Sequence, residues 1–561
     1  MGSLIRLLFL SGLTWMAQGT GENHPGDDAL KPVLATKHGR LLGKVSTVKG
    51  TERRVHAFLG IPFAKPPVGE LRFTRPQPPV PWTSVRDATS LPPLCLQELS
   101  AMEGLKKYYH GALHVPSISE DCLFLNVYTP AERGQDARLP VMVYIHGGGL
   151  TMGGTSMIDG SALSAYENVV IVAIQYRLGV LGFLSTGDEK APGNYGFLDQ
   201  VAALHWVQEN IKDFGGDQQS VTIFGESAGG VSVSALVLSP LSKGLFHRAI
   251  SESGTALLSA LMGSKPEEIQ SSLNVVSSIS GCDVNTVVEC LKKKTEEELI
   301  NIYQTMRYMP LPGCVDGTFL PKPVEEILAS KNVLQVPLMI GVTNHEFGWL
   351  LALELDFHGL TEGMTKDTAE TNLRNFPLLK ADPIAVPWIM EEYFGDTDDP
   401  LEIRNRFLDF CGDVVFVVPA LRTAKYHRDS DLPVYFYEFQ HRPSLFKDSK
   451  PDFVRSDHAD ELLFVMGGPF LTELDFFGGH ETDGEKALGK TVMKYWANFA
   501  RTGDPNGPGL VKWPEYDEDE DYLEINLDQK ASQRLKQRRA EFWMNTLPQK
   551  MQSLSGERSE L

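Results

Sequence analysis

Ser227 is the residue whose surroundings most clearly predict chemistry. It lies in the run Gly225-Glu226-Ser227-Ala228-Gly229, between an apolar stretch at 221–224 and a helix-like stretch from about Gly230. A serine on a sharp strand-to-helix turn, with a glycine two residues to either side, is typical of an exposed nucleophile. The five residues also occur by chance in many chains, so their place between strand and helix carries the prediction that Ser227 attacks acyl groups.

A second pattern, His146-Gly147-Gly148-Gly149, directly follows a predicted strand at 140–145. Such a loop presents backbone N–H groups to the oxyanion of a tetrahedral intermediate, together with the N–H of Ala228 after the nucleophile. An ordinary glycine-rich turn is the alternative. The presence of both patterns in this order favours an oxyanion hole.

A serine nucleophile needs a base and an acid that orients the base, in the chain order Ser, Asp or Glu, His. Glu346 comes just after a predicted strand at 336–342, where active-site loops of an α/β sheet gather. Asp316 and Asp431 are rivals, although Asp431 precedes its neighbouring strand. A carboxylate after a strand is often only a turn residue, so position alone leaves the choice open.

Five histidines follow Glu346 and are candidates for the base: His358, His427, His441, His458 and His480. We favour His458, which lies in a polar loop after a predicted strand at 434–439 and has neighbouring carboxylates that stabilise a protonated ring. A surface histidine is the alternative. Paired His or Cys at zinc-ligand spacing is missing from the sequence, so we predict no metal.

The elements that must position these residues follow an alternating pattern of strands and helices. Apolar strands predicted at 140–145, 169–174, 221–224, 336–342 and 434–439 alternate with helical stretches such as 198–214, which stops at Gly215-Gly216. Fully apolar strands of this kind predict an α/β fold with a mostly parallel sheet covered by helices on both faces. Without repeats or a low-complexity linker, residues 20–561 are expected to form one large domain.

Composition excludes several classes of function. The chain has 561 residues, 42% of them hydrophobic and 22% charged, and a formal net charge of −20. This balance is globular, and the negative charge excludes a general nucleic-acid binder, which needs clustered Lys and Arg. It favours neutral or cationic substrates. The acidic run 517–521 is predicted to be a solvated loop, with calcium binding a distant second.

A targeting signal is predicted at each end of the chain. Arg6, an apolar run at 7–16 and the small residues Ala17 and Gly19 predict a secretory signal peptide at 1–19. The tail 558–561, Arg-Ser-Glu-Leu, shares the acidic-Leu ending of an ER-retention signal. No other stretch is apolar and long enough to predict a transmembrane anchor. Six cysteines fit an oxidising lumen, but their pairing does not follow from the sequence alone.

Taken together, these stretches resemble the type-B carboxylesterase/cholinesterase family, and more closely mammalian carboxylesterases of the carboxylesterase 2 kind. The resemblance runs from about Gly39 to the C-terminus. It rests on the His146 loop, the Gly225 turn, and five further stretches at 58–64, 120–123, 344–348, 457–461 and 495–500.

The resemblance implies an α/β-hydrolase fold and a catalytic triad of Ser227, Glu346 and His458, with no cofactor. It also implies an oxyanion hole from Gly148, Gly149 and Ala228, and disulfides Cys95–Cys122 and Cys282–Cys290. Cys314 and Cys411 are then left free, as buried small hydrophobic residues. The implied location is the ER lumen, with partial secretion, and the implied partner is an ER retention receptor that reads the tail.

The activity implied is hydrolysis of xenobiotic or lipid carboxylic esters to an acid and an alcohol through an acyl-enzyme. A lipase acting on acylglycerols or retinyl esters is the alternative, and a catalytically silent adhesion homologue is a weaker one. We expect loops 101–115 and 350–367 to line the acyl and alcohol pockets. A monomer or small homo-oligomer is expected.

Three positions depart from the family pattern. Ala459 replaces the glycine that usually follows the base, which adds a Cβ beside His458, and we expect a small effect. The Cys282–Cys290 loop is shorter than usual, which makes that disulfide the less secure of the two. Arg558 stands where the retention signal usually has His, so part of the protein is expected to escape into secretion.

Overall fold

The computed structural model of this chain describes residues 31–109, 111–130, 137–307, 309, 311–379 and 382–559, with side chains except at 264 and 555–559. The predicted signal peptide at 1–19 and the side chains of the predicted retention tail lie outside the described residues. The strands are β1 (Val33–Thr36), β2 (Gly39–Leu42), β3 (Lys44–Ser46), β4 (Val55–Pro62), β5 (Val85–Asp87), β6 (Phe124–Thr129), β7 (Leu139–Ile145), β8 (Val170–Ile174), β9 (Gly216–Glu226), β10 (Arg248–Glu252), β11 (Met262–Ser264), β12 (Gly313–Cys314), β13 (Leu338–Thr343), β14 (Val434–Phe439), β15 (Asp521–Ile525) and β16 (Lys530–Gln533).

The α-helices are α1 (Ser100–Leu105), α2 (Ser161–Glu167), α3 (Gly179–Phe183), α4 (Tyr195–Asn210), α5 (Ala228–Leu238), α6 (Pro266–Ser280), α7 (Val287–Lys292), α8 (Glu296–Met306), α9 (Val324–Ala329), α10 (Leu350–Glu354), α11 (Lys366–Arg374), α12 (Val386–Phe394), α13 (Pro400–Gly412), α14 (Val418–Arg428), α15 (Leu462–Val465), α16 (Asp483–Thr502), α17 (Gln537–Glu541) and α18 (Leu547–Ser559). Two π-helical turns, Asp413–Val417 and Phe542–Thr546, interrupt the helical segments.

Within the described residues, eleven strands form one mixed sheet in the order β16-β15-β14-β13-β10-β9-β7-β8-β6-β4-β3. The central strands from β15 to β8 run parallel, whereas β3, β4, β6 and β16 pair antiparallel at the two margins. Every residue of β8, β13 and β14 is buried, which agrees with the continuous apolar runs in the sequence. The predicted α/β class is confirmed.

The element bounds differ from the sequence predictions at several ends. The strand predicted at 221–224 belongs to the buried end of the longer β9, whose residues 217–220 are polar and at least partly exposed. The helix predicted from about Gly230 begins two residues earlier, at Ala228. The helix predicted at 198–214 is α4 followed by a 3₁₀ turn, Ile211–Phe214, and left-handed Gly215 ends it as expected.

The carboxyl ends of the parallel strands bring the candidate loops to one edge of the sheet. The loop after β7 contains His146 to Gly149, and β9 leads directly into Ser227. The loop after β13 contains Glu346, and the segment after β14 leads to His458. Because β7, β9, β10, β13 and β14 are consecutive neighbours, four distant parts of the sequence meet at this edge.

The cysteines follow the pattern that the resemblance implies. Cys95 is joined to Cys122, and Cys282 is joined to Cys290 despite the short loop between them. Cys314 and Cys411 are free and buried. The described residues from Pro32 onward cluster as one compact unit. None of the described helices combines the length and apolar character that crossing a bilayer requires.

Candidate active site

Ser227 occupies a strained turn between β9 and α5. Its backbone has φ 59° and ψ −124°, a conformation that non-glycine residues rarely adopt. The turn is held by the Ser227 N–H, which donates to the Glu252 carbonyl at 2.9 Å. A Cβ at Gly229 would lie 2.1 Å from the Ile145 carbonyl oxygen, so only glycine lets α5 start this close to β7. The tight turn lifts Ser227 above the sheet edge.

The glycine loop after β7 faces the same turn. Gly148 has φ 96°, and a Cβ there would lie 2.3 Å from the Met152 carbonyl oxygen. Within the described residues, the N–H groups of Gly148 and Gly149 donate to no protein acceptor. Ala228 is the first residue of α5, where an N–H has no acceptor within its own helix. Three backbone donors are thus available to an oxyanion beside Ser227.

Glu346 is held by three hydrogen bonds. Oε1 accepts from the Ser253 hydroxyl at 2.7 Å and from the Thr343 N–H at 2.8 Å. Oε2 lies 2.6 Å from Nδ1 of His458, and the residue is 2% exposed. Its rivals occupy turns elsewhere: Asp316 accepts from the backbone N–H groups of 318 and 320, and Asp431 has a left-handed backbone after α14.

His458 lies between two carboxylates. Its Nδ1 faces Glu346, and its Nε2 lies 3.0 Å from Oε1 of Glu226. Burial alone would lower the pKa of His458, but the charges of Glu226 and Glu346 outweigh it and raise that pKa well above its ordinary value. The buried carboxylates therefore favour the protonated ring.

The remaining candidate histidines have other environments. His358 and His480 are exposed. His427 is buried, and desolvation lowers its pKa to about 4. His441 lies 3.3 Å from the Glu485 carboxylate near the start of α16. Among the histidines that follow Glu346, His458 is the one in hydrogen-bonding contact with it.

A π-helical turn supports the ring of His458. In the turn Asp413–Val417, Phe416 stacks at a tilt on the imidazole, with ring centroids 4.5 Å apart. Turns of this type are frequent at functional sites, and the extra residue redirects side chains that a regular helix would place elsewhere. Phe416 covers one face of the ring and limits its movement.

The bond between nucleophile and base is the one part of the predicted triad that is not formed. Nε2 of His458 makes no hydrogen bond with any described atom, Ser227 Oγ included. It faces Glu226 instead, at an ion-pair distance. Catalytic hydrogen bonds of this type are often long in structures without substrate and tighten when it binds.

Three buried glutamates behind the triad form a group that the sequence analysis missed. Desolvation raises the pKa of Glu252 to about 8, although the Trp496 indole N–H donates to it and lowers that pKa. The pKa of Glu461 lies well above its usual range, mainly because of desolvation. The negative charges of Glu226, Glu252 and Glu346 raise it further. Glu226 and Glu461 occur inside the patterns used to find Ser227 and His458, so proximity to those residues was the available signal.

The loops that carry acid and base are tied together by hydrogen bonds. Asn344 Oδ1 accepts the Ser456 N–H at 3.1 Å, and His345 Nδ1 accepts the Arg455 N–H at 3.1 Å. Asp457 accepts the N–H groups of Trp349 and Leu350 at 3.1 and 3.2 Å. The loops therefore form one unit, although more than a hundred residues of sequence separate them.

A largely apolar cavity of about 760 Å³, including its open mouth, lies against the glycine loop and against Glu226 and Ala459, the sequence neighbours of Ser227 and His458. Gly147, Gly148, Glu226 and Ala459 form its floor together with aromatic and aliphatic side chains. Loop 101–115 contributes Leu105, Tyr109 and Leu113, as predicted, whereas loop 350–367 contributes nothing to this cavity. Residues after α15 complete the lining of this cavity: Met466, Gly468, Leu471 and Phe476. A contribution of loop 350–367 to another part of the site stays a prediction.

The acidic run near the C-terminus brings the carboxylates of Asp517, Asp519 and Asp521 within 4.8 Å of one another. Asp517 and Asp519 are exposed, and the Asp517 side chain accepts the Asp519 N–H at 2.8 Å. Their exposure fits the predicted solvated turn, and the spacing of the three carboxylates would also admit a cation. In the described part of the chain, no other group of three or more His, Cys, Asp or Glu has metal-ligand spacing.

Comparison with known proteins places the chain among esterases. Residues 30–543 match the family described as the Carboxylesterase family. The chain is 49% identical to a medium-chain fatty acyl-CoA hydrolase precursor of Anas platyrhynchos, over 98% of this chain and 97% of that protein. It is 48% identical to a liver carboxylesterase of Sus scrofa (93% and 94% covered) and 48% identical to a cocaine esterase of Homo sapiens (94% and 94%). Such equal identities do not separate subfamilies, so the closer likeness to carboxylesterase 2 stays a prediction.

Proposed function

The chain belongs to the carboxylesterase family and hydrolyses carboxylic esters, and from that premise we propose that Ser227, Glu346 and His458 are its nucleophile, acid and base. The observation that carries this proposal is the position of His458. Its ring lies 2.6 Å from Glu346 on one side and, on the other, 3.0 Å from the residue that precedes Ser227.

In the proposed reaction, Ser227 Oγ attacks the ester carbonyl carbon while its proton passes to Nε2 of His458. The carbonyl oxygen becomes an oxyanion and accepts hydrogen bonds from the N–H groups of Gly148, Gly149 and Ala228. The C–O bond to the alcohol then breaks, and the alcohol leaves with the proton from His458. Water attacks the acyl-enzyme by the same route, releases the acid and restores the Ser227 hydroxyl.

Glu346 keeps Nδ1 of His458 protonated, so that Nε2 is the atom that accepts the proton. Nε2 faces Glu226 before substrate binds, and a small ring movement toward Ser227 precedes attack. Phe416 packs on one face of the ring and limits movement toward that face. Glu226 stabilises the imidazolium that forms once the proton has moved.

Replacing Ser227 with Ala tests the assignment. We expect the variant to lose p-nitrophenyl acetate hydrolysis and covalent labelling by a fluorophosphonate. Ser553→Ala, at an exposed serine of α18, is the control and should keep both. Wild-type turnover by Ser227→Ala would show that another residue is the nucleophile. An intact wild-type protein that resists labelling would favour the adhesion-type homologue.

The mostly apolar cavity favours esters with apolar acyl or alcohol groups, whether xenobiotic or lipid. The alternative is a lipase acting on acylglycerols or retinyl esters. Comparing rates on a short soluble ester and on emulsified triacylglycerol separates the two. We expect the soluble ester to be hydrolysed faster, and faster hydrolysis of the emulsion would favour the lipase.

We further propose that the protein resides in the ER lumen and is retained by a receptor that reads residues 558–561. The predicted signal peptide and the two disulfides support this compartment. Expression in mammalian cells with and without the last four residues tests it. Deletion should move the protein into the medium, and Arg558→His should increase retention. Size-exclusion chromatography with light scattering would distinguish a monomer from a small homo-oligomer.

A further inference from the structure

We infer that Lys450 is a positioning residue for the base, because its ammonium group holds the two aspartates that flank His458 in one buried cluster. The inference rests on the proposed role of His458. The cluster consists of Lys450, Asp457 and Asp460, and none of the three lines the floor of the substrate cavity.

Lys450 is fully enclosed by its partners. Its side chain is 1% exposed, and Nζ lies 3.0 Å from Oδ2 of Asp457 and 3.1 Å from Oδ1 of Asp460. Nζ also lies 3.8 Å from the centre of the Phe446 ring. The lysine backbone is fixed as well, since the Lys450 carbonyl accepts from the Arg442 guanidinium at 2.9 Å. A buried ammonium with two carboxylates and an aromatic face has little freedom to move.

Asp457 joins this cluster to the loop that carries Glu346. Its two oxygens accept the N–H groups of Trp349 and Leu350, and Oδ2 also receives the ammonium group. Asp460 completes the cluster, because its Oδ2 accepts the Asp457 N–H at 2.7 Å. One cation therefore links both sides of the His458 backbone to the segment that follows Glu346.

The positive charge of Lys450 stabilises two buried carboxylates, since Asp457 and Asp460 are 0% and 2% exposed. Desolvation would raise the pKa of both, and Lys450 opposes it, so that the pKa of Asp457 falls below its usual value. Asp460 has a pKa raised to about 7 by desolvation, with Lys450 opposing and Asp457 adding to the rise. Without the lysine, two carboxyl groups would share a buried space with no cation.

The backbone between the two aspartates would change conformation if the contacts of the cluster were weakened. Ala459 has φ 68°, a left-handed conformation that is unfavourable for residues with a Cβ. The surrounding contacts must maintain this conformation, and it sets the direction in which His458 leaves the chain. Relaxation of the backbone would move the imidazole away from Glu346 and from Ser227.

The test compares Lys450→Met, which keeps the length of the side chain, with Lys450→Arg, which keeps the charge. Fluorophosphonate titration counts the active sites, so kcat is expressed per labelled serine. We expect Lys450→Met to lower kcat for p-nitrophenyl acetate by up to about 100-fold with KM changed less than about threefold. Lys450→Arg should restore most of kcat. Proton NMR should show the low-field Nδ1–H resonance of His458 shifted or broadened in Lys450→Met.

The matched control is Arg72→Met, which removes another buried cation, one that pairs with Glu120 and binds three backbone carbonyls. It should reduce thermal stability but leave kcat per site and the low-field resonance unchanged. The inference is overturned if Lys450→Met keeps both properties, if Lys450→Arg loses as much kcat as Lys450→Met, or if Arg72→Met lowers kcat equally.

If Lys450→Met does not fold, Asp457→Asn provides the same comparison with a smaller change. An active Ser227→Ala would mean that the proposed function fails. An inactive Ser227→Ala together with unimpaired Lys450 variants would mean that only the positioning role fails.

Discussion

The two halves of the candidate site use different chemical groups: one uses backbone N–H groups and the other uses charged side chains. The oxyanion half, His146 to Gly149 with Ala228, offers backbone N–H groups and depends on the absence of side chains. The base half, around His458, depends on buried carboxylates and one buried ammonium. Backbone N–H groups do not titrate, whereas buried carboxylates and imidazole gain and lose protons as the pH changes. We therefore expect geometric changes to damage the first half and charge changes to damage the second.

Glu346→Gln should have the largest effect. The amide removes the charge that orients His458 and favours the wrong ring tautomer, so kcat should fall by roughly 10⁴-fold. Steady-state kinetics at saturating p-nitrophenyl acetate measures it. The control is Glu438→Gln, a buried carboxyl on β14 that accepts from Gln440. Equal kcat in wild type and Glu346→Gln would mean that the base half does not depend on this charge.

Gly148→Ala should have the next largest effect on kcat, and it tests the oxyanion half. The new Cβ would lie 2.3 Å from a backbone oxygen, so the loop must shift and at least one donor leaves the oxyanion. The loss of one donor lowers kcat by about 10²- to 10³-fold. Gly509→Ala also adds a Cβ at positive φ, but with no atom within 4 Å, and should leave kcat unchanged. An active Gly148→Ala would argue against this loop as the oxyanion hole.

Glu226→Gln should change the pH dependence more than the maximal rate. The imidazole must be neutral to accept a proton, so kcat/KM falls as pH drops through the pKa of His458. Glu226 raises that pKa, and its removal should move the acidic limb of the profile to lower pH. Glu52→Gln, at an exposed site, should not move the limb. A shift to higher pH would contradict the sign of this interaction.

Ala459→Gly should have the smallest effect. Glycine relieves the left-handed strain at φ 68° but adds freedom to the unfolded chain, and the two contributions nearly cancel. The free energy of unfolding should change by less than about 1 kcal/mol, as measured by urea denaturation. The lost methyl group also widens the cavity floor, so rates on bulky esters should rise relative to acetate esters. Strong destabilisation would mean that the methyl group packs against essential neighbours.

Local sequence constrains the candidate oxyanion half more tightly than the candidate base half, for a physical reason. Gly148 is required by the Met152 carbonyl, which lies four residues along the chain, so local sequence records that need. The contact between Glu346 and His458 joins residues 112 positions apart, and position alone left both residues as candidates. Glu461 and Lys450 were missed because charged residues are usually exposed, and burial cannot be read from their type.

The strands were predicted almost to the residue where they are fully buried, as at Val434–Phe439. The lining of the cavity was predicted in part, because loop 101–115 contributes and loop 350–367 does not. Which loop reaches a cavity depends on packing between segments far apart in the chain. Sequence periodicity carries no record of that packing.

The π-helical turn at Asp413–Val417 has a consequence for how this protein tolerates changes in length. It lies inside a continuous helical segment, between Pro400–Gly412 and Val418–Arg428, and amounts to one extra residue in an otherwise regular helix. Deleting one residue there would give a more regular helix, but every later side chain on it would rotate by about 100° relative to those before it. Phe416 marks the point where that extra residue faces the imidazole. The irregular helix places an aromatic ring against the imidazole of His458, and a regular helix one residue shorter would change the position of that ring.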